Sequence, residues 1–351
     1  MKKVTIVGCL PSPVGGVSVF CERLSRLIIK DDDVQIDFYD IYEGNKKNIF
    51  AFESNFNLKT PKFFNFFYTQ IWLLFMLVWN KPTNLFVNFS RESSLVFVWL
   101  LSFLFRGARV YVCLHHGELN IRTGLFKFIF KRALRNVYRI YSLSPNQNDF
   151  YKEYISKEKI ISTSSYLPPE NVKDSFVMDK AVFKLIICGN NALHYNVITT
   201  LKGIAKVAAQ VPVRHYAVTV SIYGNKCQLF EDELVDLISK IETSTFKVKV
   251  THDLDSEQFN QLLKSQDLYI RNTSVDSFGI LVADAINFGV KVLASDVCPR
   301  YCGAYVFKYE APTSFETSLR YILNQNEQMV SCSEIDKVHF PYQSFLEVLS
   351  E

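Results

Sequence analysis

The chain has 351 residues, enough for about two domains at roughly 150 residues each. Hydrophobic residues at 48% against 21% charged exclude a disordered chain. A net charge of +4, from 39 Lys plus Arg against 35 Asp plus Glu, is too mild for a nucleic-acid binder.

The opening Met1-Lys2-Lys3-Val4 has the look of a signal peptide, but the apolar stretch stops at Leu10 and meets Pro11-Ser12-Pro13-Val14-Gly15-Gly16. That is too short for the hydrophobic region of a signal and lacks a small-residue cleavage site. The reading is a first strand over 3–10 in a cytoplasmic protein. The 8 Cys are scattered without a C-x-x-C pair, which argues against zinc and for buried thiols in a reducing compartment. A Pro/Gly loop at 11–17, a helix over 18–29 and a strand over 34–41 make a βαβ unit, so the sheet is expected to be parallel.

Residues 63–80 carry no charge. Asn65, Thr69, Gln70 and Asn80 interrupt the run, and a strand over 84–88 follows at once, so a buried or surface-lying helix is expected rather than a span. Another apolar helix over 94–105 and a strand over 108–114 come next. Then Arg106, Arg109, Arg122, Lys127, Lys131, Arg132, Arg135 and Arg139 stand against one acid, Glu118, with Phe126, Phe128, Ile129 and Phe130 interleaved. A basic helix with an aromatic face points to an anionic membrane surface, and equally to a solvated face over an ordinary core.

A strand over 139–143 leads through Ser144-Pro145-Asn146-Gln147 into a helix. Residues 162–179, rich in Ser, Thr and Pro, have linker texture. A second alternating series follows, with strands at 183–188, 218–223, 246–251, 268–271 and 291–294. Helices at 197–209, 232–241, 256–264 and 278–288 lie between them, and a short helix over 343–349 ends the chain. Two doubly wound α/β halves imply two Rossmann-like parallel-sheet domains facing a cleft, with ligands at the carboxyl ends of the strands.

Three constellations could carry chemistry. Gly15-Gly16 lies between the first strand and the first helix, where a backbone can approach a ligand, but the dinucleotide fingerprint is absent and Asp40 alone does not indicate NAD. His115-His116-Gly117 ends a strand, and alternation along the strand lets only one of the two His face the cleft. The third, Arg271 to Ala285, runs strand, loop, helix. The amides of Ser277, Phe278, Gly279 and Ile280 would cradle a diphosphate, with Asp276 and Asp284 on either side for sugar or ribose hydroxyls. The plain alternative makes Asp276 an N-cap and puts Asp284 on a solvated face. Asp253-Leu254-Asp255 matches a D-x-D metal motif by letters, but capping of the following helix explains it.

Asp276 and Asp284 with Phe278-Gly279-Ile280 between them resemble the E-x7-E signature of the GT-B retaining glycosyltransferases of the "group 1" family, family 4-like and of the bacterial surface-polysaccharide type. Residues 286–296 resemble that family's helix, Gly, strand and A-S-D continuation, and the likeness covers nearly the whole chain. It implies an acceptor-side domain at 1–165, a linker at 166–179, a donor domain at 180–338, and a segment at 339–351 returning to the first domain. It places Gly15 and Gly16 beside the diphosphate and acceptor, His116 on the transferred sugar and Asp276 on sugar hydroxyls near the anomeric carbon. It gives Ser277, Phe278, Gly279 and Ile280 to the sugar and phosphate, and Asp284 to the ribose.

Both signature Glu are Asp here. The Arg and Lys that the family places after the first strand of the donor domain are missing from Gly189-Asn190-Asn191-Ala192-Leu193-His194-Tyr195. The positive charge must come from elsewhere, and Arg271, Lys226 and His194 are the candidates, with Asn190 on the same loop counted among the donor contacts. The expected activity is sugar transfer from a nucleotide diphosphate sugar to a glycan acceptor, lipid-linked, without metal or other cofactor and with retention of configuration. The expected partners are that donor, that acceptor and, peripherally, an anionic membrane through 63–80 and 106–139, with no nucleic acid. The alternatives are a non-catalytic GT-B partner subunit and a nucleotide-sugar epimerase of the same fold.

Overall fold

The structure is a computed structural model and describes residues 2–11, 16–41, 50–61, 66–90, 94–104, 107–116, 119, 124–163, 166–167, 181–211, 215–224, 226–276, 279–325 and 345. The chain divides into two compact units, one of Met1–Leu167 with Phe340–Glu351, the other of Pro168–His339.

In the first unit β1 (Lys2–Gly8), α1 (Gly16–Ile29) and β2 (Val34–Asp40) form the opening βαβ. They are followed by β3 (Phe56–Lys59), α2 (Phe66–Asn80), β4 (Asn84–Phe89), α3 (Leu95–Leu104) and β5 (Arg109–Leu114). Then come α4 (Gly124–Asn136), β6 (Arg139–Ser142), α5 (Pro145–Lys152) and β7 (Ile160–Ser162). The strands lie in the order β3-β2-β1-β4-β5-β6-β7, every pair parallel. Strands buried on both faces need near-continuous apolar runs, which Val4 to Val7 and Val110 to Leu114 supply. The sequence reading did not include β3 and β7. At four and three residues they are too short for periodicity, and Lys59 holds β3 through Asp37 and Tyr39.

Leu73 and Leu77 of α2, Val98 and Leu101 of α3, and Phe130 and Leu134 of α4 share one core cluster. On the outer side of α2, Tyr68, Ile71, Phe75, Val78 and Trp79 are exposed, a stripe at helical spacing. Among the described residues no helix is long and apolar enough to cross a membrane. Phe345 is buried in this unit, its ring 4.5 Å from Tyr141, 5.1 Å from Phe20 and 6.0 Å from Phe86. The rest of the expected terminal helix lies outside the described residues, as do residues 168–179 of the expected linker over 166–179.

The second unit runs β8 (Val182–Gly189), α6 (Val197–Ala208), β9 (His215–Ile222), α7 (Gln228–Ile241), β10 (Phe246–His252) and α8 (Ser256–Lys264). It continues with β11 (Leu268–Arg271), α9 (Ile280–Asn287), β12 (Lys291–Ser295), β13 (Tyr305–Phe307) and α10 (Pro312–Asn324). The order β10-β9-β8-β11-β12-β13 is again all parallel. Alternate residues feed the two faces: Leu185, Ile187, Leu268 and Ile270 pack on α6 and α10, while Ile186, Tyr269 and Val292 pack under α8 and α9. Asp255 caps α8 with a reciprocal Gln258 bond, so the D-x-D letters are accounted for by capping.

Candidate functional site

In the second sheet the strand order reverses between β8 and β11, and a crevice outside the carboxyl ends of strands opens at such a point. Gly189 ends β8 packed closely against the following segment, where an added Cβ would stand 2.8 Å from Val197 Cγ2. The Asn190 Oδ1 accepts from the Ala192 amide at 2.8 Å, shaping the turn, and a 3-10 turn over Leu193–Tyr195 follows. Asn196 holds a left-handed backbone (φ 48°) and donates its amide side chain to the Asn272 carbonyl and the Tyr309 hydroxyl, at 3.3 and 3.1 Å. The Ser274 amide donates to the His194 carbonyl at 3.0 Å. The loops after β8 and β11 are thereby tied side by side.

Asp276 sits at the centre of this arrangement. Its Oδ2 accepts from Arg271 Nε at 3.1 Å and from Arg300 Nη1 at 2.7 Å. Burial alone would raise the carboxyl, but the two guanidiniums outweigh it and hold the pKa at about 2. Arg271 ends β11, and its Cζ lies 5.2 Å from the Tyr195 ring centroid. Arg300 follows β12, and it also donates to the Ser295 carbonyl at 2.7 Å and to Ser295 Oγ at 3.1 Å. Gly279 opens α9 at φ +77°, and a Cβ there would lie 2.8 Å from Arg300 Nη1 and 3.1 Å from Asp276 Oδ2.

Several expectations change. The residue before the first turn of α9 is Gly279, so Asp276 is not an N-cap but the acceptor of two arginines. The helix starts at Ile280, two residues later than expected, and Ser277 and Phe278 lie outside the described residues. Asp284 is fully buried within α9, so it does not stand on a solvated face. His194 and Lys226 are both exposed, His194 with its ring 4.3 Å from Tyr195. Ser295 lies in the A-S-D stretch without a role expected for it, and Arg300 is not among the expected site residues. The only signal was an Arg four residues beyond the A-S-D stretch, on a loop that the likeness did not reach.

In the first sheet the order reverses between β1 and β4. Gly8 ends β1 under α1, where a Cβ would meet Cys21 Sγ at 2.7 Å. Gly16 begins α1 exposed, while Gly15 and Gly117 lie outside the described residues. Asp40 is fully buried and accepts from the Leu10 amide at 3.2 Å, a structural use of that carboxylate. His115 turns inward against Phe20, with ring centroids 4.7 Å apart and its Nε2 3.4 Å from Asn88 Oδ1. Burial holds its imidazole down at about 3, so it is neutral at physiological pH. His116 is half-buried, and buried Gln147 donates to its carbonyl at 2.8 Å and to the Leu114 carbonyl at 2.9 Å. Gln147 Oε1 also accepts from the Leu143 amide at 2.7 Å, so one side chain fixes the backbone from which His116 projects.

No protein-family model and no curated protein sequence matches the chain. Solved structures match over its whole length. Alr3699/HepE from Anabaena, in complex with UDP and glucose, is 13% identical with a TM-score of 0.71, covering 100% of both chains. WaaG, a glycosyltransferase involved in lipopolysaccharide biosynthesis, is 15% identical with a TM-score of 0.69, covering 98% of this chain and 99% of its own. A trehalose-6-phosphate protein from E. coli bound with UDP-2-fluoro glucose is 10% identical with a TM-score of 0.69, covering 99% of each. At these identities the likeness carries the fold, which is the expected GT-B class of two all-parallel α/β units.

Proposed function

We propose that the protein is a retaining glycosyltransferase that moves a sugar from a nucleotide diphosphate sugar to a glycan acceptor. The observation that carries this reading is the cluster at the β8/β11 switch point. A carboxylate held ionised by two arginines stands there beside the opening of α9, the positive end of that helix's dipole. Nucleotide sugars have a diphosphate leaving group, and a cation with a helix N-terminus is suited to the charge that develops on it. The solved structures of the same fold include complexes with UDP and with a UDP-sugar analogue, which supports a nucleotide-sugar donor here.

In this reading Asp276 meets the sugar hydroxyls near the anomeric carbon and Arg271 meets the diphosphate. Gly279 and Ile280 offer amides, as do Ser277 and Phe278 of the same motif. Asn190, His194 and Lys226 border the nucleotide, Asp284 serves the ribose side, and His116 touches the transferred sugar beside Gly15 and Gly16. The leaving phosphate helps to deprotonate the acceptor hydroxyl.

The acceptor is lipid-linked and belongs to surface polysaccharide synthesis, and the enzyme works at the cytoplasmic face of a membrane. Two observations support that part. The exposed stripe of α2 carries Phe75 and Trp79, and α4 exposes Lys127, Lys131, Arg132 and Arg135 with Leu125, Phe126 and Phe128.

The test is thermal stability against UDP, GDP, CDP, ADP and their sugars, followed by transfer from the best donor. A ligand binding only the folded state stabilises it by about 2.7 kcal/mol at a hundredfold excess over its Kd. A shift with one nucleotide family is expected. A folded sample that shifts with none, alone or with acceptor lipid present, would favour the non-catalytic partner subunit.

A further inference from the structure

Arg271 and Arg300 share one oxygen of Asp276 but are held very differently. Arg300 has a side chain only 2% exposed and is fixed at three points, by the Ser295 carbonyl, by Ser295 Oγ and by Asp276. Ser295 Oγ in turn donates to the Thr273 carbonyl at 2.7 Å, locking Arg300 to the end of β11. Arg271 is more exposed, at 12%, and reaches Asp276 through Nε at 3.1 Å. The two terminal nitrogens of its fork are not spent on that carboxylate, and those are the atoms that grip two phosphate oxygens. Its Cζ rests on the face of Tyr195, a surface along which a guanidinium can turn.

We infer that Asp276 holds the place of an anionic ligand: an incoming diphosphate draws Arg271 off the carboxylate, while Arg300 stays and keeps Asp276 in position. Two cations on one carboxylate carry an excess positive charge in a nearly buried site. After the exchange, Arg271 faces the diphosphate and Arg300 faces Asp276, so each buried charge keeps a partner. Without Arg300 the exchange would leave the carboxylate with neither guanidinium. Arg300 is therefore a positioning residue, and Arg271 supplies the cation that the loop over 189–195 lacks. Gly279 belongs to the same device, because any side chain there would enter the Arg300–Asp276 bond.

The inference rests on the nucleotide-sugar reading and makes a prediction of unusual sign. Asp276 and the diphosphate compete for Arg271, so removing the charge of Asp276 strengthens diphosphate binding even as it abolishes transfer. Calorimetric titration with UDP, UMP and inorganic pyrophosphate tests it on the full chain. Asp276→Asn, which keeps the shape, is expected to bind UDP and pyrophosphate about tenfold tighter, with UMP changed less. Arg271→Gln is expected to lose the preference for UDP over UMP. Arg300→Gln is expected to weaken UDP about tenfold, since Arg271 is then the only one of the two arginines left to Asp276 and leaves it at a greater cost. Arg300→Lys should recover part of that. If Arg300→Gln fails to fold, the Asp276→Asn titration decides alone. Unchanged or weaker diphosphate binding by folded Asp276→Asn would overturn the exchange while leaving the nucleotide-sugar reading in place. Wild-type protein that binds neither UDP nor pyrophosphate, nor GDP, CDP or ADP, would overturn both.

Discussion

Two single residues show how local chemistry is set against local cost. Gly279 accepts a left-handed backbone that costs any other L-residue about 1–2 kcal/mol, and it stands where a methyl group would press on Arg300. Gly279→Ala should lower the melting temperature of the second unit and reduce transfer more than an equally destabilising core change. Comparing the two variants at matched stability checks this. His115 makes a different prediction. Its folded pKa of about 3 lies below the value near 6.5 of an unfolded chain, so between those values the unfolded state binds a proton that the folded state refuses. Stability from this residue is intact above pH 6.5 and falls as pH drops toward 3, by up to about 1.4 kcal/mol per pH unit. Denaturant titrations of His115→Gln should show that slope flattened. At this scale the site was half legible. Asp276 and Arg271 stand out because charged residues at a strand end ask for a ligand. Arg300 does not, because only the folded sheet brings the loop after β12 against the loop after β11.

At the scale of elements, the long apolar periods were readable and the short pieces were not. The segments 256–264 and 268–271 coincide with α8 and β11, where a capping box and a short apolar run mark the bounds. β3, β7, β13 and α10 went unread: three are strands of three or four residues, and α10 mixes polar and apolar residues after a Pro start. The charge-free run over 63–80 is the informative case. Composition alone would fit a membrane span, yet α2, 15 residues among those described, buries Leu73 and Leu77 while exposing Phe75 and Trp79. One face belongs to the core and the other is offered outward, next in the fold to α3 and α4. Two sets of substitutions separate the contributions. Phe75→Ser with Trp79→Ser should weaken binding to vesicles of any headgroup. Lys131→Glu, Arg132→Glu and Arg135→Glu together should abolish binding to vesicles containing phosphatidylglycerol, at about 1 kcal/mol per removed cation, and leave neutral phosphatidylcholine vesicles unaffected. Neither set should move the melting temperature, since these side chains are exposed. Co-sedimentation of the wild type with neither vesicle would defeat the membrane part of the proposal.

At the scale of the molecule, each unit carries its own parallel sheet and its own core, but the first is not made from consecutive residues alone. Phe345, separated from residue 167 by the whole second unit, fills a slot among Phe20, Phe86 and Tyr141. Phe345→Ala should cost the first unit about 3–5 kcal/mol and leave the second unit's hydrogen-exchange protection unchanged. Equal loss of protection in both units would show instead that they unfold as one. The family likeness implies that 339–351 returns to the first domain, but composition and spacing do not single out Phe345, because Phe340, Leu346 and Leu349 lie in the same tail. The Phe345 contact also orders events in time. A ribosome delivers Phe345 only after the second unit has been made, so until then the first unit waits with three aromatic rings uncovered. The second unit can complete itself while the chain is still being extended, whereas the unit made first is finished last. Chaperones that hold exposed aromatic surface should accordingly engage nascent chains of this protein after residue 167 has emerged and release them only once residue 345 has followed.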